Sequence, residues 1–397
     1  MKKIFALILA MIMVFSLSAC GGGTAASNSP APAPASSAPA PAAPAPSPAA
    51  PAPSPAAPAP APAPAELNVA VFYYNFADVY ISSVRGHVDK ALGDLGVKFN
   101  NYDGAGNQTT QTEQISTAIT NGANLLIVNI VENSSDDAAQ NAADAAKAAG
   151  IPIVFFNRDF GAGVINSYAD SAFVGTDAPE AGHMQGELIA ETLLAAFDDY
   201  DLNGDGTISY VMFKGQEGNV EAEYRTQFAV EDADKALTGA GKSALAFYDA
   251  NNASKYLVDQ GGNWSAAAAT EYMDTILAEY NEANGNMIEM VIANNDDMAA
   301  GAVSSLQTAG YNTGEADVKV IPVFGVDAVD NAKALINEGK MTGTIMQDAK
   351  GMADTICALV ANVKAEKALM DGINAAGGYN VDGDAAKIRV PYGKYIG

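Results

Sequence analysis

The chain has 397 residues, a formal charge of −25 and 19 prolines, of which fifteen lie between Pro30 and Pro64. The acidic excess excludes a nucleic-acid partner, because binding phosphates requires a stripe of lysine and arginine. No segment after residue 19 has the roughly 18 uncharged apolar residues of a membrane span.

The N-terminus is typical of a secretory signal. Lys2 and Lys3 precede an apolar stretch over 4–17, and small residues lead into Cys20. Small residues before a cysteine at this point resemble the bacterial lipoprotein signal. We therefore predict a signal peptide over 1–19 and lipid attachment at Cys20, on the extracellular face of the cell membrane. The alternative is an ordinary signal peptide with a chance cysteine.

The next segment, 20–65, is predicted to be a disordered tether. It consists of alanine, proline and serine after a glycine start, and it has no charged residue between Gly21 and Ala65. At about 3 Å per residue in a semi-extended form, it could reach on the order of 100 Å. The body that follows, 66–397, carries a net charge of −27 and is long enough for about two domains. Its single cysteine, Cys357, has no disulfide partner there and is expected to be a buried small hydrophobe.

In the body, apolar runs alternate with amphipathic stretches. This alternation predicts an α/β fold with parallel sheets covered by helices on both faces. The predicted strands are 67–73, 97–102, 124–131, 151–156, 172–175, 207–213, 243–248, 287–293, 319–326, 341–346 and 388–392. The predicted helices are 79–95, 109–121, 135–149, 178–197, 220–239, 264–284, 296–309, 328–338 and 350–369.

Polar side chains follow the predicted strands, where open α/β sheets bind their ligands. Asp78, Asn157, Asn295, Asp327 and Gln347 all stand at or shortly after the end of an apolar run. Any one of them could equally be a helix N-cap or a turn residue. As a set they predict a polar cleft whose carboxylates and amides suit hydroxyl groups.

Two further residues favour a sugar ligand. Trp264, the only tryptophan, follows a Gly-Gly pair at the start of a predicted helix, and an aromatic face packs well on a sugar ring. Arg225 lies on a predicted helix, and its planar fork can hold oxygens rigidly. Alone, Trp264 could be a core or cap residue, and Arg225 could belong to a surface ion pair.

A third motif predicts a calcium loop. Residues 201–209 carry oxygen side chains at positions 1, 3 and 5 of an EF-hand pattern and a glycine at position 6. Met212 stands at position 12, so the usual bidentate glutamate is missing. The alternative is an acidic turn without metal. Flanking helices are not evident, which favours a structural clamp over a sensor.

The body resembles the bacterial galactose/glucose-binding protein family, sugar receptors of ABC importers. The densest matches are 154–157, 174–177, 201–206, 291–296 and 321–328. The resemblance implies a type I periplasmic binding protein fold, with two doubly wound parallel-sheet lobes joined by a three-segment hinge near 174–177, 344–347 and 390–391. It places 66–174 and 347–390 in the N-terminal lobe, and 175–346 and 391–397 in the C-terminal lobe.

The resemblance also implies the site. Sugar contacts fall on Asp78, Tyr80, Asn157, Asn219, Glu221, Arg225, Trp264, Asn295, Asp327 and Gln347, and calcium ligands on Asp201, Asn203, Asp205, Thr207, Ser209 and Glu289. Glu289 would supply the bidentate ligand that Met212 cannot. The sequence departs from the family where Tyr80 replaces a stacking Phe, Asn219 a His, Glu221 an Asp, Gln347 an Asn, and Ser209 a calcium-ligating Gln. These changes leave the identity of the sugar open.

We therefore expect a monomeric lipoprotein that binds a monosaccharide, galactose or glucose first, and delivers it to an ABC permease without any chemistry. The alternatives are a binder of another aldose such as a pentose, a chemoreceptor or signal-sugar binding protein, a sugar-responsive repressor, and a glycosidase using Glu221 and Asp327. An enzyme is disfavoured because His87 and His183, the only histidines, lie within helical segments and no nucleophile elbow or phosphate loop is present. A repressor is disfavoured because a lipid signal stands in place of a basic helix-turn-helix.

Overall fold

The computed structural model describes residues 66–397, so the predicted signal peptide, Cys20 and the tether lie outside the described residues. Fourteen strands occur in the described part of the chain. They are β1 Asn68–Tyr73, β2 Lys98–Asp103, β3 Leu125–Val128, β4 Ile153–Phe156, β5 Ser171–Gly175, β6 Ser209–Lys214, β7 Ala246–Phe247, β8 Leu257–Val258, β9 Met290–Ala293, β10 Val323–Asp327, β11 Gly343–Gln347, β12 Asn380–Val381, β13 Lys387–Arg389 and β14 Tyr392–Tyr395.

The same part of the chain forms eleven α-helices and two short 3₁₀ turns. The helices are α1 Val79–Asp94, α2 Gln108–Thr120, α3 Asp137–Ala149, α4 Ala162–Asn166, α5 Ala178–Ala195, α6 Phe197–Tyr200, α7 Val220–Gly239, α8 Ala266–Glu279, α9 Asp296–Thr308, α10 Asp330–Asn337 and α11 Ala349–Lys364. The 3₁₀ turns are Glu282–Asn284 and Ala375–Gly377. Within residues 66–397, no helix has the length and apolar character needed to cross a membrane.

The first lobe is built on a seven-stranded sheet in the order β12-β13-β5-β4-β3-β1-β2, parallel except for β12 against β13. Alternate residues of its central strands point to opposite faces. Val69 and Val71 pack with α1 and α11 on one face, while Ala70 and Phe72 pack with α2 and α3 on the other. Because both faces are covered, the central strands are continuously apolar.

The second lobe repeats this plan. Its sheet runs β14-β11-β10-β9-β6-β7, with β8 also pairing with β6, and only β14 is antiparallel to its neighbour. Met212 packs with α5 and α7 on one face, and Val211 packs with α8 and α9 on the other. The prediction of two doubly wound parallel-sheet lobes is confirmed.

The chain passes between the two sheets three times. The passages follow β5, β11 and β13, so they fall at 176–177, at 348 and at 390–391. Gly175 and Gln347 still belong to the strands that precede a passage, one residue away from the lobe boundaries drawn from the sequence. The carboxyl ends of the parallel strands of both sheets therefore face a common cleft.

Prolines and a left-handed residue explain three of the differences from the predicted elements. The predicted strand 388–392 is two strands in different sheets, since Pro391 has no N–H to donate to a ladder. Pro322 likewise precedes β10, which begins at 323 instead of 319. The predicted helix 350–369 ends at Lys364, and Glu366 beyond it has a positive φ of 55°.

Candidate functional site

A cavity with about 350 Å³ of space, part of it open to solvent, lies between the lobes at the carboxyl ends of the strands. All ten residues predicted to contact sugar line it, together with three that the sequence analysis did not select. The lining is Tyr74, Asp78, Tyr80, Ile81, Asn157, Arg158, Asn219, Glu221, Arg225, Trp264, Asn295, Asp327 and Gln347. Residues up to 273 positions apart in the chain, from Tyr74 to Gln347, thus meet in one place.

Three of these residues also cap helices. Asp78 accepts the Ile81 N–H at 2.7 Å at the start of α1. Asn219 does the same for Ala222 on α7, and Asn295 for Met298 on α9, both at 3.0 Å. A cap uses only some of a side chain's hydrogen-bonding capacity. These residues are therefore helix N-caps and also line the cleft.

Backbone strain marks three positions in the site. Asn157, Trp264 and Asp327 have positive φ values of 66°, 57° and 124°. Asparagine and aspartate tolerate positive φ better than other side chains do, whereas tryptophan rarely adopts it. The Asn295 amide helps to fix Trp264, because it donates to the Trp264 carbonyl at 3.1 Å. Strain of this kind is retained where the surroundings hold a side chain in a required position.

Trp264 presents its ring from a loop. Ser265 is the N-cap of α8, so the helix begins two residues later than predicted and Trp264 lies outside it. Gly215 lies flat against the ring, and a Cβ atom at that position would be 2.1 Å from Trp264 Cδ2. The Arg225 guanidinium lies 5.7 Å from the ring centroid. The indole therefore packs against a glycine backbone and lies near a cation.

Three residues that line the cavity each have a buried N–H group without a hydrogen-bond partner among the described residues. They are Arg225 Nε, Trp264 Nε1 and Gln347 Nε2. The rest of Arg225 is fixed, because it donates to the Asn294 carbonyl at 2.9 Å and to Gln347 Oε1 at 3.3 Å. A buried donor without a partner costs about 1–3 kcal/mol. A ligand carrying acceptor oxygens would remove that cost.

The same cavity is lined by carboxyl groups that can accept hydrogen bonds. Burial raises the pKa of the carboxyl groups of Asp78, Glu221 and Asp327 above their usual range. At Asp327 the positive charge of Arg225 opposes this rise. Tyr74 donates its hydroxyl to Asp78. Carboxylates that have lost water in this way are stabilised by neutral hydroxyl donors, so the cavity suits a polyhydroxylated molecule.

One end of the cavity is bridged directly by side chains of both lobes. Asn133 of the first lobe accepts from Asn219 Nδ2 at 2.9 Å and donates to Glu221 Oε2 at 3.1 Å. The backbone N–H of Asp159, also in the first lobe, donates to Glu221 Oε1 at 2.8 Å. Asn219 and Glu221 thus line the cavity, but the opposite lobe already binds their polar atoms.

Three contributors escaped the sequence analysis. Arg158 stacks its guanidinium 3.5 Å from the Tyr74 ring centroid and donates to the Val131 carbonyl. Arg158 directly follows Asn157 at the end of an apolar run, so the pattern that selected Asn157 could have included it. Tyr74 and Asn133 carried no such signal, because each gains its role only when the sheet and the opposite lobe are in place.

In the predicted calcium loop, side-chain oxygens accept hydrogen bonds from the loop's own backbone N–H groups. Asp201 accepts from the N–H groups of Asp205 and Gly206 at 3.1 and 2.8 Å. The fully buried Glu289 accepts from Leu202 and Ser209 at 2.7 Å each, which ties the loop to β9. The other predicted ligands are Asn203, which accepts from Asp205 N–H, and Thr207, which donates its N–H to Asp205. Over residues 66–397, no three acidic, cysteine or histidine side chains converge as a group that could hold a metal ion.

Cys357 lies on α11 in the core of the first lobe and is free, as the sequence analysis expected. Burial raises the pKa of its thiol to about 12. The thiol is therefore protonated at neutral pH and has no chemical role in the cleft.

Comparison with known proteins gives consistent results. The family model described as "Periplasmic binding protein domain" matches residues 69–368. The D-galactose/methyl-galactoside binding periplasmic protein MglB of Haemophilus influenzae is 33% identical over 310 residues, which cover 78% of this chain and 85% of the relative. A Bacillus halodurans ABC transporter solute-binding protein with bound myo-inositol superposes with a TM-score of 0.61 at 22% identity, over 83% of this chain and 94% of its own. A Clostridium phytofermentans solute-binding protein with bound β-D-glucose gives 0.60 at 23% identity, over 82% and 91%.

Proposed function

Because the chain belongs to the periplasmic binding protein family, we propose that it captures a monosaccharide between its lobes and delivers it to an ABC permease. The family's members are solute-binding proteins and not enzymes, so the expectation that this chain is not an enzyme is confirmed. The predicted type I periplasmic binding protein fold is confirmed as well. The first sugars to consider are galactose and glucose, since the Haemophilus relative carries galactose in its name.

One observation carries this proposal. Buried N–H groups of Arg225, Trp264 and Gln347 lack partners and line the same cavity as the desolvated carboxylates of Asp78 and Asp327. A neutral sugar offers both a lone pair and a proton at each hydroxyl, so it can satisfy both sets. Its apolar ring face can lie on the Trp264 indole. An anionic ligand would be repelled by the carboxylates, and an apolar ligand would leave the N–H donors unpaired.

The capture mechanism follows from the placement of these groups on two lobes. Asp78 and Asn157 belong to the first lobe, whereas Arg225, Trp264 and Asp327 belong to the second. A sugar can contact both sets only when the lobes are closed, so sugar binding favours the closed state. Motion at the three passages between the sheets would open the cleft and release the sugar.

Isothermal titration with a panel of hexoses and pentoses tests the function. We expect one aldose to bind, and we expect Arg225→Lys to weaken binding at least tenfold, since lysine cannot replace the fixed fork. Lys235→Ala, on the same helix outside the cavity, is the matched control. Absence of heat across the whole panel would reject monosaccharide binding.

We also propose that Ca²⁺ binds the 201–209 loop as a structural ion. The donor set supports this proposal, because side-chain oxygens of Asp201, Asn203, Asp205 and Glu289 and the Thr207 carbonyl are hard ligands of the type Ca²⁺ prefers. Ser209 is a weaker candidate, as its hydroxyl contacts the Met287 carbonyl and Glu289. Bound Ca²⁺ would hold the loop against β9. The melting temperature should fall on adding a chelator and recover with Ca²⁺, and an identical melt in both conditions would reject the site.

Lipid anchoring through Cys20, a monomeric state and permease delivery remain proposals that rest on the sequence. Cys20→Ala should move the protein from the membrane fraction to the medium, which fractionation of producing cells would measure. Retention of the variant in the membrane would argue for an uncleaved signal segment instead.

A further inference from the structure

We propose that Asn133 is a positioning residue that latches the two lobes together at one end of the cleft and withdraws Asn219 and Glu221 from the ligand. No sequence signal marks Asn133, and it is absent from the predicted sugar contacts. The proposal concerns the lobe contact itself. Only its affinity arm rests on the proposed monosaccharide function.

The first argument is how the hydrogen-bonding groups are used. The Asn133 amide has one side facing Asn219 Nδ2 at 2.9 Å and the other facing Glu221 Oε2 at 3.1 Å. Glu221 Oε1 takes the Asp159 N–H at 2.8 Å, and Asn219 Oδ1 caps α7. Both side chains from α7 are therefore bonded within the protein, whereas Arg225, Trp264 and Gln347 still have unpaired donors.

The second argument is burial. Asn133, Asn219 and Glu221 are each exposed by 4% or less. A polar group sealed from water must keep its partners, because losing one leaves a desolvated donor or acceptor. Separating the lobes would break these bonds and replace them with water. The latch therefore adds to the stability of the closed state even without a ligand.

The third argument is the rigidity of the first-lobe side of the contact. Asp159 is held by Lys387 Nζ and Arg389 Nη1, each at 2.7 Å, and its own side chain is largely buried. Arg389 also donates to the Thr176 carbonyl at 2.8 Å. Thr176 and Arg389 flank two of the three passages between the sheets, so the latch is anchored to the hinge.

These contacts determine which part of the cavity can recognise the ligand. At the latch end, the cavity presents side chains that are already paired, and specificity must come from the rest of the lining, where Arg225, Trp264 and Gln347 have unpaired donors. The replacements at Asn219 and Glu221 then act on closure and not on hydroxyl recognition. Discrimination among sugars should depend on Asp327, Arg225 and Gln347.

A donor–acceptor swap tests the proposal in the full-length protein. Asn133→Asp keeps the shape of the side chain but places a carboxylate 3.1 Å from the Glu221 carboxylate, so it should open the latch. Adding Glu221→Gln reverses donor and acceptor between the two residues and should restore the bond. Ser134→Ala, an exposed neighbour with no hydrogen bond to the second lobe, is the control for the segment.

Two readouts follow closure without any sugar. Acrylamide quenching of Trp264, the only tryptophan, reports access to the cleft, and hydrogen exchange at the Asp159 amide reports the bond to Glu221. We expect Asn133→Asp to raise quenching and to lose Asp159 protection, while the double variant and Ser134→Ala match the parent protein. Equal quenching and protection in the parent and Asn133→Asp would overturn the latch.

A third readout is sugar affinity by titration with D-galactose and D-glucose. Loss of a buried hydrogen bond to a charged group should weaken binding by about ten- to hundredfold in Asn133→Asp, with recovery in the double variant. Recovery of closure without recovery of affinity would mean that Glu221 contacts the ligand through its charge, and would overturn its withdrawal. If neither sugar binds the parent protein, the proposed ligand fails, while quenching and exchange still decide the latch.

Discussion

Gly215→Ala should displace the indole ring of Trp264, which lines the cleft. The added Cβ would lie 2.1 Å from Trp264 Cδ2 and 2.2 Å from Cε3, whereas ordinary contact begins near 3.4 Å. The ring must therefore move by more than an ångström. It cannot move freely, because Trp264 has a positive φ of 57° and its carbonyl is bound by the Asn295 amide.

The size of the effect follows from overpacking. Forcing one methyl group into a closely packed site costs about 1–3 kcal/mol. If the ring relieves the clash by turning into the cavity, that cost appears as a loss of sugar affinity of about 5- to 150-fold. If the ring stays in place, the cost appears as lower stability with sugar affinity retained. Gly215→Ala should favour the first outcome, since the open side of the ring faces the cavity.

Fluorescence is the direct assay, because Trp264 is the only tryptophan and its emission reports the environment of this one ring. We expect Gly215→Ala to shift the emission and to weaken binding in titration. Gly239→Ala is the matched control, as a Cβ there meets no atom within 4 Å. If Gly215→Ala leaves emission, affinity and melting temperature unchanged, the indole does not pack against Gly215 and the reasoning is refuted.

Three further predictions concern the fold. Burial raises the pKa of Asp296 from its usual value of 3.8 to about 7, so between these values the folded state holds a proton that the unfolded state has released, and stability should fall as pH rises. Melting without sugar from pH 5 to 8 should show this slope, and Asp296→Asn should reduce it to the part that the other buried carboxyl groups contribute. The buried Cys357 thiol should resist alkylation in the native protein and react fully in urea, as measured by mass spectrometry, and rapid native labelling would show that α11 opens. Gly182→Ala should destabilise the protein by about 1–3 kcal/mol, since its Cβ would lie 2.5 Å from the Tyr224 carbonyl oxygen, whereas Gly163→Ala, with nothing within 4 Å, should leave urea unfolding unchanged.

The sequence predicted the architecture well because the architecture depends on local patterns. Continuous apolar strands alternating with amphipathic helices can bury their surfaces only as doubly wound sheets. The polar residues at the strand ends were found by the same logic. The boundaries that failed lie where a single residue overrides the pattern, as at Pro391, which divides one predicted strand between two sheets.

The pairing of side chains could not be predicted in this way. Asn219 and Glu221 have the residue types of sugar contacts, and the resemblance assigned them that role. Whether they face a ligand or the other lobe depends on Asn133, which is 86 and 88 positions away and carries no pattern of its own. Hydrogen bonds between lobes arise only after both sheets have folded and the cleft has closed.

The length, the charge and the proline distribution by themselves predict a signal, a tether and an acidic body in that order, because each of those properties is a sum over local composition. The sequence also determined which residue types are available at the strand ends. The tertiary structure decided which of them remain unpaired. Arg225, Trp264 and Gln347 keep free donors, whereas both carboxylate oxygens of Glu221 already accept hydrogen bonds, because hydrogen bonds depend on distance and direction in space and not on spacing along the chain.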